Sequence, residues 1–277
     1  MRLLSRGSGD PILFIHGIPT SHRLWDGVTR RLADRYTCYT LDLPGLGSEP
    51  CSACGLWQLP RIVEQIERLR VEAGLERWSV VGHDAGSAIA AFYAHQYAKS
   101  VKRLALISPA LFPDLRPFYL FSLLRKPLLG ELLAPCLHPL IWRVAMRRAC
   151  QGEDGDSNLA VTAFRQPFRG PLGPWNMMRV VRWGRPRDVL GAIPAFLPQL
   201  RIPTIIFHGS RDTAIPVTFA SRAAALIPNA ELAVLDAGHF VPLNCPGTLA
   251  ESLGAFLRGH ETTTPSNTAA DASRWLA

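Results

Sequence analysis

The sequence predicts an α/β protein: a mostly parallel, twisted sheet flanked by helices, interrupted by an inserted helical segment. Three observations predict it. Short apolar runs, of the kind shown by strands covered on both faces, alternate with stretches of helical periodicity. Such alternation builds a parallel sheet through right-handed crossovers. Polar residues stand at the carboxyl ends of strand runs at His16-Gly17, Asp84, Asp212 and His239, where sheets of this class gather their functional groups. From Pro109 to about Leu200 the alternation stops.

The elements follow in order. Pro11 to Ile15 is a buried strand ending in His16-Gly17-Ile18-Pro19-Thr20-Ser21, and a helical pattern runs through Leu24, Trp25, Val28 and Leu32. A second strand, Tyr36 to Leu43, closes in the turn-rich Asp42-Leu43-Pro44-Gly45-Leu46-Gly47. Ile62 to Ala73 is an amphipathic helix stopped by Gly74. Trp78 to His83 reads as a strand, Ala85 to Ala98 as a helix and Val101 to Ile107 as another strand. Residues 109–200 carry frequent prolines and Trp142, Trp175 and Trp183, with helical periodicity or none, so this block is expected to be mostly helical. Strands resume at Thr204 to Gly209 and Glu231 to Leu235, with helices over Phe219 to Leu226 and Pro246 to Leu257. The expected division is a core of 1–108 and 201–259, an insertion of 109–200, and a disordered tail of 260–277 rich in Thr, Ser, Asn and Ala.

A chain of 277 residues, nearly half of them hydrophobic, can bury one large core with an insertion, or two small ones. The net charge of +8 is mostly arginine and forms no run of the kind a nucleic-acid arm shows. Arg143, Arg147, Arg148, Arg165, Arg169, Arg179, Arg182, Arg185 and Arg187 nevertheless crowd one region. They read as a solvated surface or, alternatively, as an electropositive mouth that draws anionic substrates. Cys51-x-x-Cys54 has no second metal-type pair and opens no redox unit, and no metal or organic cofactor is implied. The N-terminus lacks the apolar core of a signal peptide, and the apolar runs are too short to span a bilayer. A soluble cytoplasmic protein with reduced thiols is expected.

The stretch Ser79-Val80-Val81-Gly82-His83-Asp84-Ala85-Gly86-Ser87 turns a strand sharply into a helix, with small residues two positions either side of Asp84. That is the geometry of a nucleophile elbow. An aspartate between strand and helix also has a plainer use, capping the helix by accepting its first amides. As a nucleophile, a carboxylate of pKa about 4 needs no base, because it is ionised at neutral pH. Its attack on an ester carbonyl would give an anhydride and run backwards. Attack on a saturated carbon gives an ordinary ester, provided a halide or an epoxide oxygen departs.

His16-Gly17-Ile18-Pro19-Thr20-Ser21, Asp42-x-Pro44-Gly45-x-Gly47, Gly82-His83-Asp84-Ala85-Gly86, His208-Gly209-x-x-Asp212 and Gly238-His239-Phe240-Val241-Pro242 together resemble the α/β-hydrolase family. The resemblance spans about residues 10 to 258, and within the family it points to the branch of haloalkane dehalogenases and epoxide hydrolases. It implies an α/β-hydrolase fold with the insertion as a helical cap. Asp84 would be the nucleophile, His239 the base that activates water, and Asp212 the acid that orients its imidazole. Some relatives carry that acid after the preceding strand, where this chain has Ser108. The amides of Ile18 and Ala85 would hold the oxyanion. His16 and His83 are expected to make structural hydrogen bonds, and His22, His95 and His208 to be non-catalytic.

The chain departs from both subclasses. Ala85 follows the nucleophile where dehalogenases place a halide-holding Trp, which leaves Trp142 or Trp175 for that part. Epoxide hydrolases use two cap tyrosines, and the insertion has only Tyr119. Phe112, Phe118, Tyr119, Phe121, Leu123, Leu124, Leu128 and Leu129 are apolar enough to line a cavity, with Phe240 beside the histidine, although cap core is the plainer use for most of them. The expected partner is a hydrophobic small molecule and water, with no nucleic acid. The missing Trp tilts the reading toward an epoxide. An alkyl halide, a ligand-binding member of the fold, and a lyase or another hydrolase using Asp84 as a base stay open.

Overall fold

The computed structural model describes residues 1–49, 58–116, 119–146, 161–183 and 189–259. Cys51, Cys54, Phe118 and the tail from 260 lie outside the described residues.

Seven strands form one sheet: β1 (Leu3–Arg6), β2 (Asp10–Ile15), β3 (Tyr36–Leu41), β4 (Trp78–His83), β5 (Val101–Ile107), β6 (Thr204–Gly209) and β7 (Glu231–Leu235). They lie in the order β1-β3-β2-β4-β5-β6-β7. β1 is antiparallel to β3, and every other pairing is parallel. The central β4 is buried at all six positions, so its run Trp78-Ser79-Val80-Val81-Gly82-His83 shows no alternation, as a strand covered on both faces requires. β1 is the strand that the sequence pattern does not announce. Its Leu3-Leu4-Ser5-Arg6 is mostly exposed at the sheet edge, so no buried face imposes a period on it.

Helices α1 (Asp26–Leu32), α2 (Leu59–Glu72) and α3 (Ala85–Gln96) connect β2 to β3, β3 to β4 and β4 to β5. Ile62, Val63 and Ile66 form the buried stripe of α2, with Gly74 at φ +68° just past its end, as a left-handed helix stop requires. α3 stops at Gln96, two residues short of the pattern, and the chain tightens into a 3₁₀ turn over Ala98–Ser100. β3 also ends early, at Leu41 rather than Leu43, because the next residues turn to bond the first loop instead of the sheet.

Between β5 and β6 the described residues contain helices and no strand: α4 (Tyr119–Arg125), α5 (Leu129–Ile141), α6 (Gly173–Trp183) and α7 (Ile193–Phe196). α4, α5 and α6 pack on one another. Leu120, Leu124, Ile141, Trp142, Phe164, Phe168 and Met177 join the sheet's Ile12, Val80, Leu106 and Phe207 in one continuous buried apolar cluster. α8 (Val217–Leu226), α9 (Val241–Asn244) and α10 (Pro246–Leu257) complete the layers.

Candidate active site

The turn between β4 and α3 holds Asp84 at φ 51° and ψ −120°. A side chain in that region carries strain on the order of 1–3 kcal/mol, which the surroundings must hold in place. They do so through the backbone. The Asp84 N–H donates to the Ile107 carbonyl at 3.0 Å, and the Asp84 carbonyl accepts from Ser87 at 2.9 Å and Ala110 at 3.3 Å. The Ser87 hydroxyl donates to the Gly82 carbonyl at 2.8 Å. The bend is tight enough that a Cβ on Gly82 would lie 2.4 Å from the Gly86 carbonyl oxygen, and one on Gly86 would lie 2.3 Å from that of Ile15. Only glycine fits at either position.

The carboxylate does not cap its own helix. Its Oδ2 accepts from the Ile18 N–H at 3.1 Å, and Oδ1 lies 4.0 Å from His239 Nε2. Burial pushes the Asp84 carboxyl up. The charge of His239 and the amides of Ala85 and Ile18 offset this only in part, so its pKa stays above the ordinary value.

His239 follows β7, and its Nδ1 lies 2.8 Å from Asp212 Oδ2. Asp212 follows β6, and its Oδ1 accepts from the backbone N–H groups of Ala214 at 2.8 Å and Ile215 at 2.9 Å. Burial alone would raise Asp212, but the charge and hydrogen bond of His239, then His208 and the Ile215 amide, hold it well below the usual carboxylate range. Burial works against the imidazolium of His239. Asp212, by charge and hydrogen bond, and then Asp84, outweigh it, and the pKa of His239 is raised. The imidazole thus stands between two carboxylates, one bonded to it and one across a short gap.

Residues 10–133 match the family model for the α/β-hydrolase fold. A solved α/β-hydrolase-fold protein from Burkholderia ambifaria superposes with a TM-score of 0.78 at 22% identity, covering 91% of this chain and 92% of that one. The chain has the α/β-hydrolase fold. It is 27% identical over 272 residues to an uncharacterized protein of Mycobacterium tuberculosis, across 94% of this chain and 77% of that protein. It is 23% identical over 283 residues to a cis-3-alkyl-4-alkyloxetan-2-one decarboxylase of Shewanella oneidensis, across 95% and 86%. A shorter match, 30% over 107 residues, joins 39% of the chain to 37% of a soluble epoxide hydrolase of Corynebacterium sp..

In this α/β-hydrolase fold the other histidines brace the loops. His83 donates from Nε2 to the His239 carbonyl at 2.9 Å, and burial, then the charge of His239, lowers its pKa to about 3. His16 accepts from the Leu43 N–H at 3.0 Å, and burial holds its pKa at about 4. His208 Nε2 donates to the Ile215 carbonyl at 3.0 Å, fixing the Asp212 turn. Asp42 gathers the first two loops, accepting from the His22 N–H at 2.8 Å and from the Ser48 N–H and hydroxyl at 2.9 Å each.

The structure thus brings Asp84, Asp212, His239, Ile18 and Ala85 together, with Phe240 buried and its ring 5.1 Å from that of His239. The insertion residues fall elsewhere. Tyr119 is 62% exposed and Leu128 is 85% exposed, so both lie at the surface, not in the lining of an enclosed cavity. Trp142 is buried, and its indole N–H donates to His138 Nε2 at 3.1 Å, so that donor is already engaged within the insertion. Trp175 is half-buried against the core. Phe164 brings the insertion to the site with its ring 6.4 Å from Phe240. It belongs to no motif, and only the folded chain reveals it.

Proposed function

We propose that this protein is a hydrolase that opens an electrophilic sp3 carbon through an ester on Asp84. The observation that carries the reading is the division of labour on one carboxylate. Oδ2 accepts from the amide of Ile18, while Oδ1 faces an imidazole backed by Asp212.

In the first step an Asp84 oxygen attacks carbon, the carbon–oxygen bond of an epoxide breaks, and the alkoxide takes a proton from solvent, which is returned when the Asp84 carboxyl regenerated at the end of the cycle ionises. In the second, His239 Nε2 removes a proton from water and the hydroxide adds to the ester carbonyl of Asp84. The amides of Ile18 and Ala85 then bind the oxyanion, and collapse expels the product alkoxide, which His239 reprotonates. Esterification also prepares the base. It removes the negative charge of Asp84, one of the causes that raise His239, so the ring moves toward its neutral, proton-accepting form when water must be activated.

An epoxide is favoured over an alkyl halide because Ala85 offers no indole donor beside the nucleophile and the Trp142 donor is bonded to His138. The named relatives add support of a coarse kind. One acts on an epoxide and the other on an oxetan-2-one, both small strained oxygen rings whose opening relieves strain. Residues 109–200 are proposed as the cap over the core, and the apolar surroundings of Phe164 and Phe240 favour a hydrophobic substrate.

The test is to trap the ester. His239→Gln, incubated with a panel of aryl and alkyl epoxides, alkyl-substituted oxetan-2-ones and bromoalkanes, should gain the mass of one substrate on Asp84, read by intact-mass spectrometry and peptide mapping. The electrophile that labels fastest names the class. An unlabelled variant, given a substrate that the wild type turns over, removes the covalent mechanism.

A further inference from the structure

The insertion carries a surface that the chemistry at Asp84 does not use. α5 is apolar almost throughout: Gly130, Ala134, Leu137, His138 and Ile141 face inward, while Leu129, Leu132, Cys136 and Leu140 are exposed. Leu132 is 74% exposed, and Leu128, one helical turn before it, is 85% exposed. Single exposed leucines are ordinary on protein surfaces, but positions 128, 132, 136 and 140 recur every fourth residue and line one side of a helix. Leu128 is also one of the few non-glycine residues at positive φ, +64°. A leucine there strains the backbone and presents its side chain to water, two costs that folding alone does not reward.

Charge is concentrated in the same block. Residues 109–200 hold 12 Lys and Arg against 6 Asp and Glu, a net +6 of the chain's +8. Lys126 and Arg179 are exposed, and Lys126 precedes the leucine turn in Arg125-Lys126-Pro127-Leu128-Leu129.

We propose that this face of the insertion docks on an anionic phospholipid bilayer, Leu128 and Leu132 entering the headgroup–acyl boundary while the exposed Lys126, two residues before Leu128, meets the lipid charge. A second copy of the chain is disfavoured because a two-fold contact would set two such positive insertions against each other. A nucleic acid would satisfy the charge and leave the leucines in water. No described helix is long and apolar enough to cross a membrane, so the surface would lie on the bilayer and not span it. The proposal is independent of the reaction at Asp84.

The experiment is co-sedimentation of the full-length protein with vesicles of phosphatidylcholine alone or mixed equally with phosphatidylglycerol, at low and high salt. The wild type should sediment with the mixed vesicles, lose binding in high salt, and ignore neutral vesicles. Leu128→Gly, which keeps the left-handed backbone, combined with Leu132→Gln should weaken partitioning at least about tenfold, given the apolar area removed. Lys126→Glu should weaken it about fivefold or more. Unchanged thermal unfolding of the variants would show that they are folded. The inference is overturned if the wild type stays in the supernatant or if the double leucine variant sediments as well as the wild type. It is equally overturned if light scattering shows a dimer that the same substitutions dissociate, since the face would then be covered by a second copy.

Discussion

Around Asp84 the chain buries charge and anchors it; across the insertion it leaves apolar side chains in water. At the carboxyl ends of the strands Asp84, Asp212 and His239 are each held by backbone amides or by one another, within a shell of neutral buried histidines. In the insertion, Leu128 and Leu132 stand exposed, and the indole N–H of Trp142 is bonded to His138 of α5. The first region is rigid because a misplaced buried charge is costly. The exposed leucines of the second carry no such constraint. On the proposed reading the chemistry belongs to the first region and the choice of substrate to the second.

The sharpest way to break that comparison is to neutralise the carboxylate. Asp84→Asn should lower kcat by at least about 10⁴-fold, the loss seen when a nucleophile is removed from a unit of this kind, with the unfolding midpoint kept. Steady-state turnover beside a thermal melt checks it. Retained activity would move the reaction off the elbow. Asp212→Asn comes next, with an expected loss of up to about 10⁴-fold confined to ester hydrolysis, because it removes the group that orients His239 and stabilises its imidazolium. Single-turnover kinetics should show an unchanged first step and a stalled second. Slowing of both steps would mean that Asp212 supports the fold of the site more than its base.

The core of the fold is legible in the sequence. Gly82 and Gly86 are demanded by the approach of carbonyl groups, Gly74 by a left-handed helix stop, and the unbroken apolar run of β4 by burial on both faces. Each is a local constraint, and local constraints can be read. The meeting of Asp84 with His239 across 155 positions of chain is not local; the strand-end positions put both residues at one end of the sheet, and their pairing is what the family resemblance implies. What went unread lacked any such constraint. β1 has no buried face to set its period, Phe164 sits in no motif, and the outward turn of Tyr119 and Leu128 depends on how α4 and α5 pack.

A smaller effect sharpens the electrostatic side. Burial leaves Asp84 above its ordinary pKa, so the alkylation rate should fall about tenfold per unit as pH drops below that raised value, where the carboxylate takes up a proton. Hydrolysis needs neutral His239, whose pKa is raised in the resting site, so its rate should climb as pH rises. The two steps therefore respond to different groups. Because the ester lacks the Asp84 charge, the midpoint for hydrolysis should lie below the imidazole pKa measured by NMR in the free enzyme. A midpoint at or above the free-enzyme value would show that Asp84 does not act on His239.

The smallest expected effect tests the insertion as structure. Trp142→Phe keeps the ring that packs 5.9 Å from Phe168 but leaves His138 Nε2 without its donor. An unmade buried hydrogen bond costs about 1–3 kcal/mol. Stability should fall by about that amount in denaturant titration, while kcat/KM for an epoxide stays within about twofold, because the indole donor is engaged inside the insertion and not at the reacting carbon. If stability holds and kcat/KM for a haloalkane collapses instead, the indole must leave His138 to hold the departing halide, and the division between a chemical core and a covering insertion would have to be redrawn.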